Sequence, residues 1–177
     1  EHLVELIASS QTLVFEDVPC APIPSLLRGF TAPVTLECDL GDEELVQLAL
    51  HDPDPFVGWN SVQQLFTRTI RALSHLPTSE MAASVPQRLI ALVADLLRNN
   101  AVSAPGLTAQ KLSLPDEPAL SEGLDRIRLD EHLAAREAVK RAIGMALTDL
   151  LGSVYRALDG LDPADRSPRT ISQRNLR

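Results

Sequence analysis

At 177 residues and 45% hydrophobic content, the chain is long enough and apolar enough to bury the core of one or two domains, which excludes a disordered segment. Aromatic residues make up only 3%, so the core must be built from Leu, Val, Ile and Ala, a palette that favours helices packed on helices. The net charge of −8 speaks against nucleic acid as a partner, because phosphate binding needs a basic surface, and no apolar run approaches the roughly 20 residues that cross a bilayer.

The first residues, Glu1-His2-Leu3-Val4-Glu5, have neither the basic start nor the apolar middle of a signal peptide. They also lack an initiator Met, which suggests a mature product or an excised piece. Two short β-prone runs follow, Thr12 to Phe15 and Val34 to Cys38. The Pro-rich stretch Pro19 to Pro24 between them cannot be helix or central strand. Two strands make no stable sheet alone, so residues 1–40 read as the end of a β domain whose other strands lie elsewhere. Cys20 and Cys38 are too few for a disulfide framework, and free, buried thiols are expected.

From Asp42 the pattern is helical. Asp42 is expected to cap a helix with Leu45, Leu48 and Ala49 on one face. Asp54-Pro55 suits N-cap and N1 of a second, whose stripe is Val62, Leu65, Phe66, Ile70 and Leu73. Ser84-Val85-Pro86-Gln87 has capping-box spacing before Leu89, Ile90, Val93, Leu96 and Leu97. Shorter helices are predicted near 104–112 and 116–125. The longest, from Asp130 to about Leu158, would run unbroken for roughly 40 Å. In it Glu137 and Arg141 have favourable i, i+4 spacing, and Ile143, Leu147, Leu150, Leu151, Val154 and Leu158 form the apolar stripe. Asp159-Gly160 should end it, and Asp162-Pro163 and Ser167-Pro168 mark a loop before a last helix near Thr170. The predicted fold class is mainly α: stacked antiparallel helices in a helical-hairpin array, preceded by a short β segment from a truncated β-sandwich. Residues 1–40 form one unit and 41–177 the other. Cut at both ends, such a chain should expose strand edges and the apolar side of its last helix, and non-native dimers are expected there.

Catalytic motifs are missing. His2, His51, His75 and His132 are far apart, and no His-Glu-x-x-His pair or Cys-x-x-Cys is present. Asp130-Glu131-His132 is the best metal candidate, although a solvated helix start explains those carboxylates more simply. No Gly-x-Ser-x-Gly elbow or Gly-rich phosphate loop occurs. His51-Asp52-Pro53-Asp54 reads as a loop and a cap rather than an acid–base pair, and Trp59 reads as core. No catalytic, cofactor or metal residue is assigned.

Specific strings carry more. Ser10 to Phe15, then Pro22-Ile23-Pro24-Ser25-Leu26-Leu27-Arg28-Gly29-Phe30-Thr31-Ala32-Pro33-Val34, closely resemble the aminopeptidase N group of the M1 zinc metallopeptidase family. Asp54, Phe56, Trp59 and Gln63, the turn Leu112-Ser113-Leu114-Pro115, Arg136-Glu137-Ala138, Tyr155 and Arg174-Asn175-Leu176-Arg177 also fit. The resemblance covers nearly the whole chain and is weakest at 74–104 and 157–168. It places the chain where a small β-sandwich passes into a helical domain that closes over the active site and limits which peptides enter. The parent would be a cytoplasmic enzyme that releases N-terminal amino acids with one zinc ion, but its zinc and α-amine motifs are absent from these 177 residues. This piece would therefore hold no cofactor, and its partner would be the catalytic domain of the same parent chain. Arg174 and Arg177 match basic positions expected to line the cavity and attract peptide carboxylates. A stand-alone α-helical interaction module is the alternative; it has no need of the Pro-rich string. An unrelated small hydrolase has no motif behind it.

Overall fold

The computed structural model describes residues 4–5, 7–32, 34, 36–126, 128–159 and 164–176. Nine α-helices are formed among them: α1 (Asp42–His51), α2 (Pro55–Leu73), α3 (Thr78–Met81), α4 (Gln87–Asn100), α5 (Pro105–Leu112), α6 (Glu117–Ser121), α7 (Leu129–Ala146), α8 (Thr148–Ala157) and α9 (Pro168–Leu176). The chain is mainly α, as composition and periodicity predict.

The core follows the predicted stripes. Leu45, Leu48 and Ala49 of α1 are buried, as are all five stripe residues of α2 and all five of α4. Burying each large aliphatic or aromatic side chain contributes about 1.5–3 kcal/mol, so these three faces supply most of the cohesion. α1 and α2, linked by residues 52–54, pack side by side as an antiparallel hairpin. α2 also packs against α5, α6 and α7, and α4 lies against α1, α5, α7 and α8. The last helix returns to α5, burying Thr170 and Gln173 while Ile171 stays exposed.

Four local expectations are corrected. Asp42 is the first residue of α1 rather than its cap; Gly41 is the cap, and the Glu44 carboxylate accepts its backbone N–H at 2.7 Å. Because Gly41 has no side chain, only this half of a capping box exists. Ser84 lies in a 3-10 turn over Ala82–Ser84, and α4 starts behind Pro86 without a side-chain cap, so the Ser84 box does not form. The long helix is broken at Leu147, whose φ and ψ are −113° and 20°. The Thr148 hydroxyl donates back to the Gly144 carbonyl at 2.7 Å and reaches Met145 O at 3.2 Å, a bonding pattern that bends helices. Beyond the break only Leu147 and Leu158 of the predicted stripe are buried. Glu137 lies near Lys140 and Arg136, each at 3.8 Å, rather than Arg141.

Among the described residues 4–40 there is no strand; the regular element is a 3-10 turn over Arg28–Phe30. Leu13, Val14 and Phe15 are exposed. A strand needs a neighbouring ladder for its N–H and C=O groups, and none of the described residues offers one. Both cysteines are free, but Cys20 is exposed and Cys38 half-buried rather than sequestered. The predicted stop at Gly160 and the Asp162-Pro163 loop lie outside the described residues.

Candidate functional site

Several of the residues that carry the family resemblance lie on α2 or against it. Asp54 caps this helix, its Oδ1 accepting the Val57 N–H at 2.9 Å. Its Oδ2 accepts the Gly29 N–H at 2.7 Å, so the same carboxylate anchors a turn 25 residues upstream. That turn is strained: Leu27, Gly29 and Phe30 have φ of 53°, 68° and 51°. Left-handed backbone costs a non-Gly residue roughly 1–2 kcal/mol, so Leu27 and Phe30 must be held in place. Arg28 lies 3.7 Å from Asp52, and the Phe30 ring meets Phe56 at 4.9 Å between centroids. Phe56 in turn meets Trp59 at 5.9 Å. Trp59 is therefore half-buried in an aromatic row that receives the turn, a correction to its reading as core. Burial pushes the Asp54 carboxyl up, but the N–H groups of Val57, Gly29 and Phe56 and the Arg28 charge outweigh it and hold it below its ordinary value.

The second anchor is the Gln63 side chain. Its Nε2 donates to the Ser113 carbonyl at 3.0 Å and to Lys111 O at 3.3 Å, tying α2 to the Leu112 to Pro115 turn. Arg136 of α7 donates to Pro115 O at 3.1 Å from the other side. Thus Gln63, the turn and Arg136, three separate strings in sequence, form one junction of α2, α5 and α7.

Sequence reasoning missed the third tie. Lys111 is buried, and its ammonium donates to Ala49 O at 2.9 Å, at the carbonyl-rich end of α1. It passes α2 where Gly58 leaves room: a Cβ there would lie 2.7 Å from Nζ. Desolvation holds the Lys111 ammonium below its ordinary pKa, and Asp52 opposes that. A lysine in a short amphipathic helix looks solvent-facing, and the only hint is a glycine inside α2, which costs helix stability unless something must pass close by.

These groups position backbone; none is arranged as nucleophile and base. Among the described residues no three His, Cys, Asp or Glu side chains converge to hold a metal ion. Asp130 and Glu131 lie in the first turn of α7, while His132 is buried. Of the two arginines predicted to line a cavity, Arg174 is half-buried on α9, its charge acting on Asp165. Arg177 lies outside the described residues. No helix among the described residues is long and apolar enough to cross a membrane.

Comparison with known proteins fits this picture. A family model for a domain of unknown function with an Ig-like fold, DUF3458, matches residues 1–39. One for DUF3458_C, described as ARM repeats, matches 42–177. Aminopeptidase N of Escherichia coli is 31% identical over 158 residues, covering 88% of this chain and 18% of that protein. The Haemophilus influenzae and Caulobacter vibrioides proteins of the same name are 29% and 30% identical over 86% and 87% of this chain. The crystal structure of Legionella pneumophila aminopeptidase A in complex with aspartic acid superposes with a TM-score of 0.76 at 21% identity, over 92% of this chain and 19% of that one, a likeness of fold. The chain spans less than a fifth of the length of the curated relatives it matches. With its model matched from residue 42 to 177, the chain belongs to the DUF3458_C family, the ARM-repeat helical region of the aminopeptidases.

Proposed function

We propose that this chain is a non-catalytic, structural and substrate-gating segment of a cytoplasmic M1-family zinc aminopeptidase that removes N-terminal amino acids from peptides. Residues 1–40 would complete the β-sandwich linker and 41–177 would begin the helical domain. The observation that carries the reading is the succession of an Ig-like match at 1–39 and an ARM-repeat match at 42–177, in a chain similar to aminopeptidase N over most of its length. The site agrees in character. Asp54, Gln63, Arg136 and Lys111 spend their polar groups on backbone, which suits a rigid wall rather than a reacting centre. The zinc and the catalytic residues would come from the rest of the parent chain, whose catalytic domain is the partner of this segment. Arg174 and Arg177 would face the cavity and attract the carboxylates of entering peptides.

A free-standing interaction module is the competing reading, favoured by the exposed Leu129, Leu133 and Met145 of α7. It leaves the strained turn at 27–30, fastened to Asp54, without a purpose. The test is an aminopeptidase assay on the purified chain with an alanine-linked chromogenic substrate, zinc added and metal content measured. No turnover and no stoichiometric zinc is the expected result; zinc-dependent turnover that copurifies with the chain would overturn the proposal.

A further inference from the structure

Two histidines outside the anchors described above sit beside the connection between α6 and α7, and at one of them, His132, burial opposes protonation. Past the end of α2, the Nδ1 atom of His75 lies 2.7 Å from Arg128 Nη1. A guanidinium can only donate, so the His75 Nδ1 accepts here. One turn into α7, His132 is 3% exposed, and no described residue hydrogen-bonds to its Nδ1. A charged imidazole at that place would carry a buried Nδ1–H without an acceptor.

The surrounding groups add to the cost. The charges acting on His132 are Arg71 of α2 and Arg128 just before α7, with His75 beyond α2; Glu131 alone opposes them. Glu131 is already engaged, its Oε1 accepting from Arg128 Nε and Nη2 at 3.2 and 3.1 Å. Arg71 is spent on the end of α6: its Nε donates to Leu120 O at 3.0 Å, and its Nη2 to Ala119 O at 3.3 Å and Glu122 O at 2.6 Å. Arg71 and Arg128 thus fasten the two ends of the connection between α6 and α7 to the far end of α2.

We propose that Arg71, Arg128 and the buried His132 form a proton-sensitive latch, which holds the connection between α6 and α7 against α2 while the His132 imidazole is neutral and releases it when that ring takes up a proton. The inference is independent of the aminopeptidase reading. Burial first, then the Arg71 and Arg128 charges, holds His132 below its ordinary value of 6.5. The folded state therefore binds fewer protons than the open one. The stabilisation is present above pH 6.5 and is lost as pH falls through the folded value. Each proton taken up on opening raises the open fraction by up to about tenfold per pH unit.

The experiment is an NMR titration of the histidine rings in the full chain between pH 8 and 5, with amide exchange corrected for intrinsic rate. His132 is expected to titrate below 6.5, and the amides of 119–126 and 128–132 to lose protection before those of α4. Urea midpoints at pH 7.5 and 5.0 complete the test. His132→Leu should remove most of the acid-induced drop. His132 titrating at or above 6.5, protection lost evenly across the chain, or an unchanged acid drop in His132→Leu would each overturn the latch. If His132→Leu does not fold, the ring titration and amide exchange of the unaltered chain still decide.

Discussion

Residues 4–40 and the helices from Asp42 onward use similar apolar residue types and reach opposite outcomes. In the first region Ile7 and Val14 are 83% and 79% exposed; in the second Leu45, Val62 and Ile70 are fully buried. The difference lies in where each kind of backbone finds its hydrogen bonds. A helix satisfies its own N–H and C=O groups and needs a neighbour only for one apolar face, which α1, α2 and α4 provide for one another. A strand must borrow both its hydrogen bonds and its packing from elsewhere. The first region acquires order where the second lends it a surface, at the 28–30 turn on α2.

The contrast is broken most severely in the core. Phe66→Ala should cost about 3–5 kcal/mol in urea denaturation, because the ring is 1% exposed and its cavity cannot collapse. Val14→Ala, by comparison, should change stability by no more than about 0.5 kcal/mol. Equal effects would mean that residues 12–15 are packed in solution. A second variant sharpens the border itself: Asp54→Ala removes a helix cap and the Gly29 anchor together. A loss of about 1–2 kcal/mol is expected from the cap alone. Release of Phe30 from Phe56 should also alter the emission of Trp59, the only tryptophan. The same spectral change should develop in the unaltered chain on acidification below about pH 4. Asp54 is held below its ordinary value, so its stabilisation is present above that value and lost as pH falls through the folded one. Unchanged emission in Asp54→Ala would detach the turn from α2. The smallest effect belongs to Arg98→Ala. Its 3.2 Å pair with Asp95 is largely exposed, and a midpoint shift worth more than about 0.5 kcal/mol would contradict the reading of such pairs as solvated.

How much was legible in sequence follows the same division. The buried faces of α1, α2 and α4 and the Asp54 cap were readable, because periodicity and capping are written within a few adjacent residues. The family strings were readable as strings, but not that Gln63 and Arg136 grip one turn from two sides. The break at Leu147 was hidden by an apolar stripe that runs through it; Gly144 followed by Thr148 was the only mark. The Ser84 box failed because its spacing straddles a 3-10 turn, with Pro86 left to start α4. Asp130-Glu131-His132, read as a metal candidate, is divided by burial: its carboxylates stay at the surface while its imidazole goes inside. Lys111 was unreadable because its partner carbonyl is 62 residues away.

That separation has a consequence for synthesis. The end of α1 is completed by an ammonium that leaves the ribosome 62 residues after Ala49, roughly 3–12 s later at ordinary elongation rates. Until then the α1–α2 hairpin lacks its cation and the groove beside Gly58 stands open. The nascent hairpin is therefore least protected during that interval, and a pause in translation before Lys111 would lengthen it.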